Sequence, residues 1–170
     1  MHRTLSGRLA LVLLGLLALA GSLFIGLTVV VTHLYLQEAS QRLHQGLAGH
    51  IAGDERLMQG GEINRPALKS LFDKLMAVNP SIEVYLVDGD GGILAYSAPE
   101  GAVERQRIDL GPVRAFVEGD PTYPLYGDDP RNADGHKVFS AAPVMDAGGL
   151  NGYLYVVLGG ELYQSVMQRL

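Results

Sequence analysis

Apolar residues run almost unbroken from Leu9 to Val31, where 18 of 23 residues are hydrophobic, and no side chain from Leu9 to Thr32 is ionisable. At about 1.5 Å per residue a helix of that length covers roughly 36 Å, enough to cross a hydrocarbon core of about 30 Å with some tilt. A cleaved signal peptide is the competing reading, with Arg3 and Arg8 as its basic region and Ala18-Leu19-Ala20 as a cleavage-like site. The run outlasts a signal core of about 7–15 residues, so it predicts an uncleaved anchor. Arg3 and Arg8 precede the span, which puts the N-terminus in the cytoplasm and everything from about His33 onward outside. Ala18, Ser22 and Gly26 share one helix face, which reads either as a seam on which two copies of the span pack or as the small-residue content general to membrane helices.

Beyond the span the pattern stays helical. Leu36, Ala39, Leu43, Leu47 and Ile51 keep a three- and four-residue spacing, which predicts one continuous helix to about Ile51. Gly49 and Gly53 weaken it, and Gly60-Gly61 marks a loop. Pro66 opens a second helix whose apolar face is Leu68, Leu71, Phe72, Leu75 and Met76, and Asn79-Pro80 closes it. Period-two alternation then takes over. Ile82–Val87 and Ile93–Ser97 flank a Gly/Asp turn and predict a hairpin whose register stays open, because its loop counts four or five residues. Asp109–Val117 reads as a short helix. Glu118–Gly135 reads as a long loop containing Tyr123 and Tyr126. His136–Val144 and Gly152–Leu158 form a second hairpin. The last strand is apolar on both faces, which predicts a central strand covered on both sides. Glu161–Leu170 closes the chain at helical spacing. Helix, hairpin, helix and loop, hairpin is the order of an α+β domain, an antiparallel sheet with helices against it.

Composition narrows the function. The chain has no cysteine, which excludes disulfide scaffolds, thiolate metal sites and thiol catalysis. The exported part carries 11 basic against 18 acidic residues, the wrong sign for a nucleic-acid partner. Asp88, Asp90 and Gly92 begin like a calcium loop, but Ile93 and Pro99 stand where it needs glycine and glutamate. No zinc-protease, nucleotide-loop or serine-hydrolase motif occurs. No catalytic residue, metal ligand or cofactor is therefore assigned.

Binding candidates remain, each with a plainer reading. Arg105, Arg107 and Arg114 would suit a carboxylate or phosphate if they converged on a pocket, and are otherwise solvated surface residues. Asp128, Asp129 and Asp134, followed by His136, would answer to a divalent cation or to pH, or serve as turn residues. Tyr85, Tyr96, Tyr153 and Tyr155 on the strands, with Tyr126 in the long loop, would line a cavity or pack in a core with their hydroxyls bonded.

Three stretches carry a family resemblance: Val84-Tyr85-Leu86-Val87-Asp88 through Gly91–Ser97; Gly127-Asp128-Asp129-Pro130-Arg131 with Lys137–Pro143; and Gly152–Glu161. Together they resemble the extracytoplasmic sensor region of bacterial two-component sensor histidine kinases, of the PAS-like kind also called PDC or Cache. The resemblance implies residues 1–8 in the cytoplasm, 9–32 in the membrane, 33–62 as a juxtamembrane helix and loop, 63–160 as the periplasmic sensor, and 161–170 as a helix heading for a second span. It implies a bacterial inner-membrane protein, a small solute or ion as signal, and a kinase and response regulator reached through a C-terminal part, and the apolar seam Leu36, Leu43 and Leu47 motivates a parallel homodimer. No phosphoacceptor His-Glu-Pro pattern or nucleotide-binding glycine box is present, so the expectation is a segment without phosphotransfer of its own. The alternatives are the sensor of a chemotaxis receptor or diguanylate cyclase, or an envelope scaffold that binds proteins.

Overall fold

A computed structural model of the chain describes residues 5–54, 57–59, 62–78, 82–99, 101–119, 121–146 and 149–158. It divides into two compact units, residues 1–37 and 38–170. The first unit is helix alone, the N-terminal part of α1 (Leu5–His44). Its best 18-residue window has a mean hydropathy of 2.5 and none of that window is buried, so this is a helix long and apolar enough to cross a membrane. Within it the Ser22 and Thr28 hydroxyls donate to the carbonyls of Ala18 and Phe24, hiding polar atoms against the helix itself.

In the second unit, α2 (Leu47–Asp54), a small hairpin of β1 (Met58–Gln59) and β2 (Glu62–Ile63), and α3 (Arg65–Val78) come first. Then follow β3 (Ile82–Asp88), β4 (Ile93–Tyr96), α4 (Leu110–Glu118), β5 (Tyr126–Asp128), β6 (His136–Asp146) and β7 (Gly149–Leu158). The five longer-range strands make one antiparallel sheet in the order β4-β3-β7-β6-β5. The last strand lies at the centre, as its two apolar faces require. Alternation sorts the side chains. Val84, Leu86, Leu154, Val156 and Leu158 meet α2, α3 and β1 on one face. Tyr85, Val87, Tyr153, Tyr155 and Val157 meet α4 on the other.

Several boundaries differ from expectation. The juxtamembrane helix breaks at Gln45-Gly46, so α1 and α2 are separate. The break is satisfied from across the domain: the buried Ser140 hydroxyl donates to Gln45 O (3.0 Å) and accepts from Ala48 N (3.2 Å). After the break Leu47 turns into the sheet core, so it leaves the seam expected with Leu36 and Leu43. The long loop contains β5, whose three residues pair with β6 through Tyr126↔Val138, Gly127↔Lys137 and Asp128↔His136. The first hairpin has a four-residue loop and a bulge between Leu86 and Val87. Its register pairs Tyr85 with Tyr96, which puts both tyrosines on the α4 face. Gly91 in that loop has φ +92°, and a Cβ there would strike Ile108 O, so the turn admits only glycine without strain. The Glu161–Leu170 helix, the Asn79-Pro80 stop, the Gly60-Gly61 loop and Arg3 lie outside the described residues.

Candidate functional site, an aromatic sheet face under an ionic layer

The α4 face of the sheet is lined by rings because β3 and β7 place tyrosines at alternate positions and β6 adds Phe139. From the edge strand inward, Tyr96 and Tyr85 lie 6.4 Å apart, Tyr85 and Tyr155 6.4 Å, and Tyr155 and Phe139 4.9 Å. The row continues through Phe116 of α4 at 5.3 Å to Tyr123 at 6.4 Å. It ends at the Arg42 guanidinium of α1, 4.8 Å above the Tyr123 ring. Asp109 caps α4 by accepting from Gly111 N, which fixes Phe116 over this row.

The hydroxyl ends of the buried rings meet charges. Tyr85 donates to Glu83 Oε2 (2.8 Å), and Tyr155 donates to the carbonyl of Asp128 (2.8 Å). Glu83 is itself paired with Arg131 at 2.7 Å. Asp128 takes Arg105 at 3.2 Å and the Asp109 amide at 2.9 Å, and Asp129 takes Lys137 at 2.9 Å. These pairs are mostly buried, with side-chain exposures of 16 % and 8 % for Arg131 and Glu83 and 14 % and 5 % for Lys137 and Asp129. Three buried carboxylates thus face three cations. Such an arrangement holds its geometry because each buried charge is matched by an opposite one. The β5–β6 connection that carries Arg131 is also held by its backbone: Pro130 O accepts from Glu104 N and Arg105 N, and Asp129 N donates to Gly135 O. Burial pushes the phenols of Tyr85 and Tyr155 well above the ordinary tyrosine range. The negative charge of Glu83 adds to the effect at Tyr85, and that of Asp128 at Tyr155. Both therefore stay protonated, and each donates its hydrogen bond.

The residues singled out from sequence land unevenly. Tyr85, Tyr153 and Tyr155 are buried on the aromatic face, and Tyr96 packs beside them. The rings of Tyr96, Tyr85 and Tyr155 neighbour one another, and the hydroxyls of Tyr85 and Tyr155 are bonded. Tyr126 lies on the opposite face, against the α2–α3 core. The three arginines do not converge. Arg105 enters the ionic layer, whereas Arg107 and Arg114 reach the carbonyls of Asp90 (2.7 Å) and Gly89 (3.4 Å) at the β3–β4 turn. Asp134 is exposed, and the exposed His136 stands 3.5 Å from Asp128.

Glu83, Arg131, Lys137, Gln41 and Ser140 were not singled out. For Glu83 a signal existed, since period two puts a carboxylate at an inward position of an apolar strand, where only a partner makes it tolerable. Gln41 gave none. It is fully buried, donates to Leu125 O and Phe139 O (both 2.9 Å), and accepts from Leu125 N (2.8 Å). Comparison of the chain with protein-family models and with curated proteins finds no match in either.

Proposed function

We propose that this chain is the extracytoplasmic sensing region of a transmembrane sensor histidine kinase, with its N-terminus in the cytoplasm and its sheet domain outside the inner membrane. The observation that carries the reading is the attachment of α1. The helix that contains the apolar span ends in a turn whose Gln41 is hydrogen-bonded to Leu125 and Phe139, and the next residue of β6, Ser140, holds the α1–α2 break. On this reading a change in the sheet would reach the last turn of α1 through these bonds. The five-stranded antiparallel sheet with helices on both faces supports a PAS-like fold. A signal that binds one arrangement better shifts the population toward it and moves the helix with it. Leu36 and Leu43, seven residues apart and 60 % and 80 % exposed, supply an apolar line for a parallel homodimer.

The test joins the full chain in frame to the second span and kinase half of a sensor of known output. Gln41→Ala is expected to change basal output severalfold while the protein still accumulates in the membrane. Unchanged output in that variant would overturn the reading. The absence of native cysteine makes the orientation directly measurable. A membrane-impermeant maleimide should label Thr122→Cys in intact spheroplasts, and labelling only after lysis would reverse the topology.

A further inference from the structure

The Tyr85 and Tyr155 hydroxyls are bonded within the sheet domain, and unspent donors lie at the Arg42 end of the aromatic row. A cleft of about 340 Å³ opens between the end of α1, the end of α4 and the segment before β5, lined by Arg42, Gln45, Gly46, Phe116, Pro121 and Tyr123 among others. That volume is at the small end of the range for ligand pockets, about 300–1,000 Å³. Its walls are of two kinds. Phe116 and Tyr123 meet edge to face with rings at 85°, giving an apolar corner that Pro121 extends. Against that corner stand donors. Arg42, 59 % exposed, uses Nε on Glu38 (2.9 Å) and sets its guanidinium carbon 4.8 Å from the Tyr123 ring centroid, while its two terminal nitrogens make no hydrogen bond among the described residues. The Gln45 amide oxygen accepts from the Tyr123 hydroxyl at 3.5 Å, and its NH₂ makes no hydrogen bond among the described residues.

We infer that this cleft is a binding site for a small organic anion with a flat apolar body, an aromatic or branched monocarboxylate. The body would lie in the Phe116–Tyr123 corner, and the carboxylate would take the open fork of Arg42 and the Gln45 amide. Glu38 and Tyr123 hold the fork on the cleft side, which lowers the side-chain freedom lost on binding. The position gives the site a consequence. Arg42, Gln45 and Gly46 belong to the last turn of α1 and the break that follows it, whereas Phe116 and Tyr123 belong to the sheet's aromatic row. A ligand touching both would favour one setting of the helix end against the row. That consequence rests on the sensing reading, but the binding does not.

The full chain in lipid nanodiscs is titrated with benzoate and followed by saturation-transfer NMR. Saturable binding with a dissociation constant of about 1 mM or tighter is expected. Benzyl alcohol and benzylamine, which lack the carboxylate, should bind at least about tenfold more weakly. Arg42→Gln should weaken benzoate by about tenfold or more, and Arg42→Lys by less, because the charge survives while the fork is lost. Arg107→Gln, an exposed guanidinium at the β3–β4 turn, should leave binding unchanged. Three results would each overturn the site: no saturation, benzylamine binding as tightly as benzoate, or equal losses in Arg42→Gln and Arg107→Gln. Binding is read without an output domain, so its failure is separate from a failure of signalling in the chimera.

Discussion

Glu83 is the residue on which the ionic layer turns, since it holds both the Arg131 guanidinium and the Tyr85 hydroxyl. Glu83→Gln removes a buried charge from both the Arg131 pair and the Tyr85 hydrogen bond, and the expected loss is about 1.5–3 kcal/mol in denaturant unfolding of the micelle-bound protein. Combined with Arg131→Met, the loss should be smaller than the sum of the two single losses; strict additivity in the double variant would show that the two groups are not a unit. Tyr85 and Tyr155 predict a different signature. Both hold their protons more tightly in the folded state, so their contribution is fully present below the ordinary tyrosine value of 10.0 and is lost as pH rises above it. The unfolding midpoint should fall between about pH 10 and 11, and the fall should be shallower in Tyr85→Phe. Period two placed Tyr85 opposite to Val84 and Leu86 and on the face of Glu83, the partner of its hydroxyl, but its ring neighbour Tyr96 depends on strand register, which composition of the turn left undecided. Arg131 lies 48 residues from Glu83, and no local pattern joins them.

Elements were readable where their own residues determine them. The apolar span, the Pro66 helix, the Asp109-capped helix and the central last strand follow from periodicity and caps that each segment carries within itself. The α1–α2 break and β5 do not. The break is stabilised by Ser140, more than ninety residues away, and β5 exists because β6 lies beside it. Two glycines separate these situations experimentally. A Cβ on Gly127 would strike the Tyr155 hydroxyl and meet the Phe139 ring at 2.9 Å, so β5 can sit against the aromatic row only without a side chain. Gly127→Ala should lower stability by about 1–3 kcal/mol, the usual range for overpacking. Gly49 in α2 has nothing within 4 Å of its Cβ position. Gly49→Ala should therefore stabilise by about 0.5–1 kcal/mol, the helix propensity difference alone. A paired thermal unfolding measurement reads both, and a loss at Gly49 equal to that at Gly127 would contradict the packing described for β5.

At the scale of the whole molecule, the proposed dimer has to be reconciled with the break after His44. A single unbroken helix would have offered Leu36, Leu43 and Leu47 on one line, but Leu47 is committed to the sheet core and only Leu36 and Leu43 stay exposed. Pairing of two chains along α1 would therefore end before α2, about one turn beyond Leu43. Single cysteines in this cysteine-free chain test that limit. Mild oxidation of membranes should crosslink Leu36→Cys and Leu43→Cys between copies, because a disulfide needs Cα atoms within about 7 Å and a parallel helix pair supplies that at its seam. Leu47→Cys, facing its own sheet, should give little product. No crosslink at either exposed position would remove the dimer, and strong crosslinking at Leu47 would mean that the helix runs on unbroken in the membrane-bound protein. Adding Gln41→Ala to Leu43→Cys joins the two scales. If the buried amide fixes how the last turn of α1 faces, its loss should change the yield at Leu43 while leaving that at Leu36, nearly two turns nearer the span, much closer to its original value.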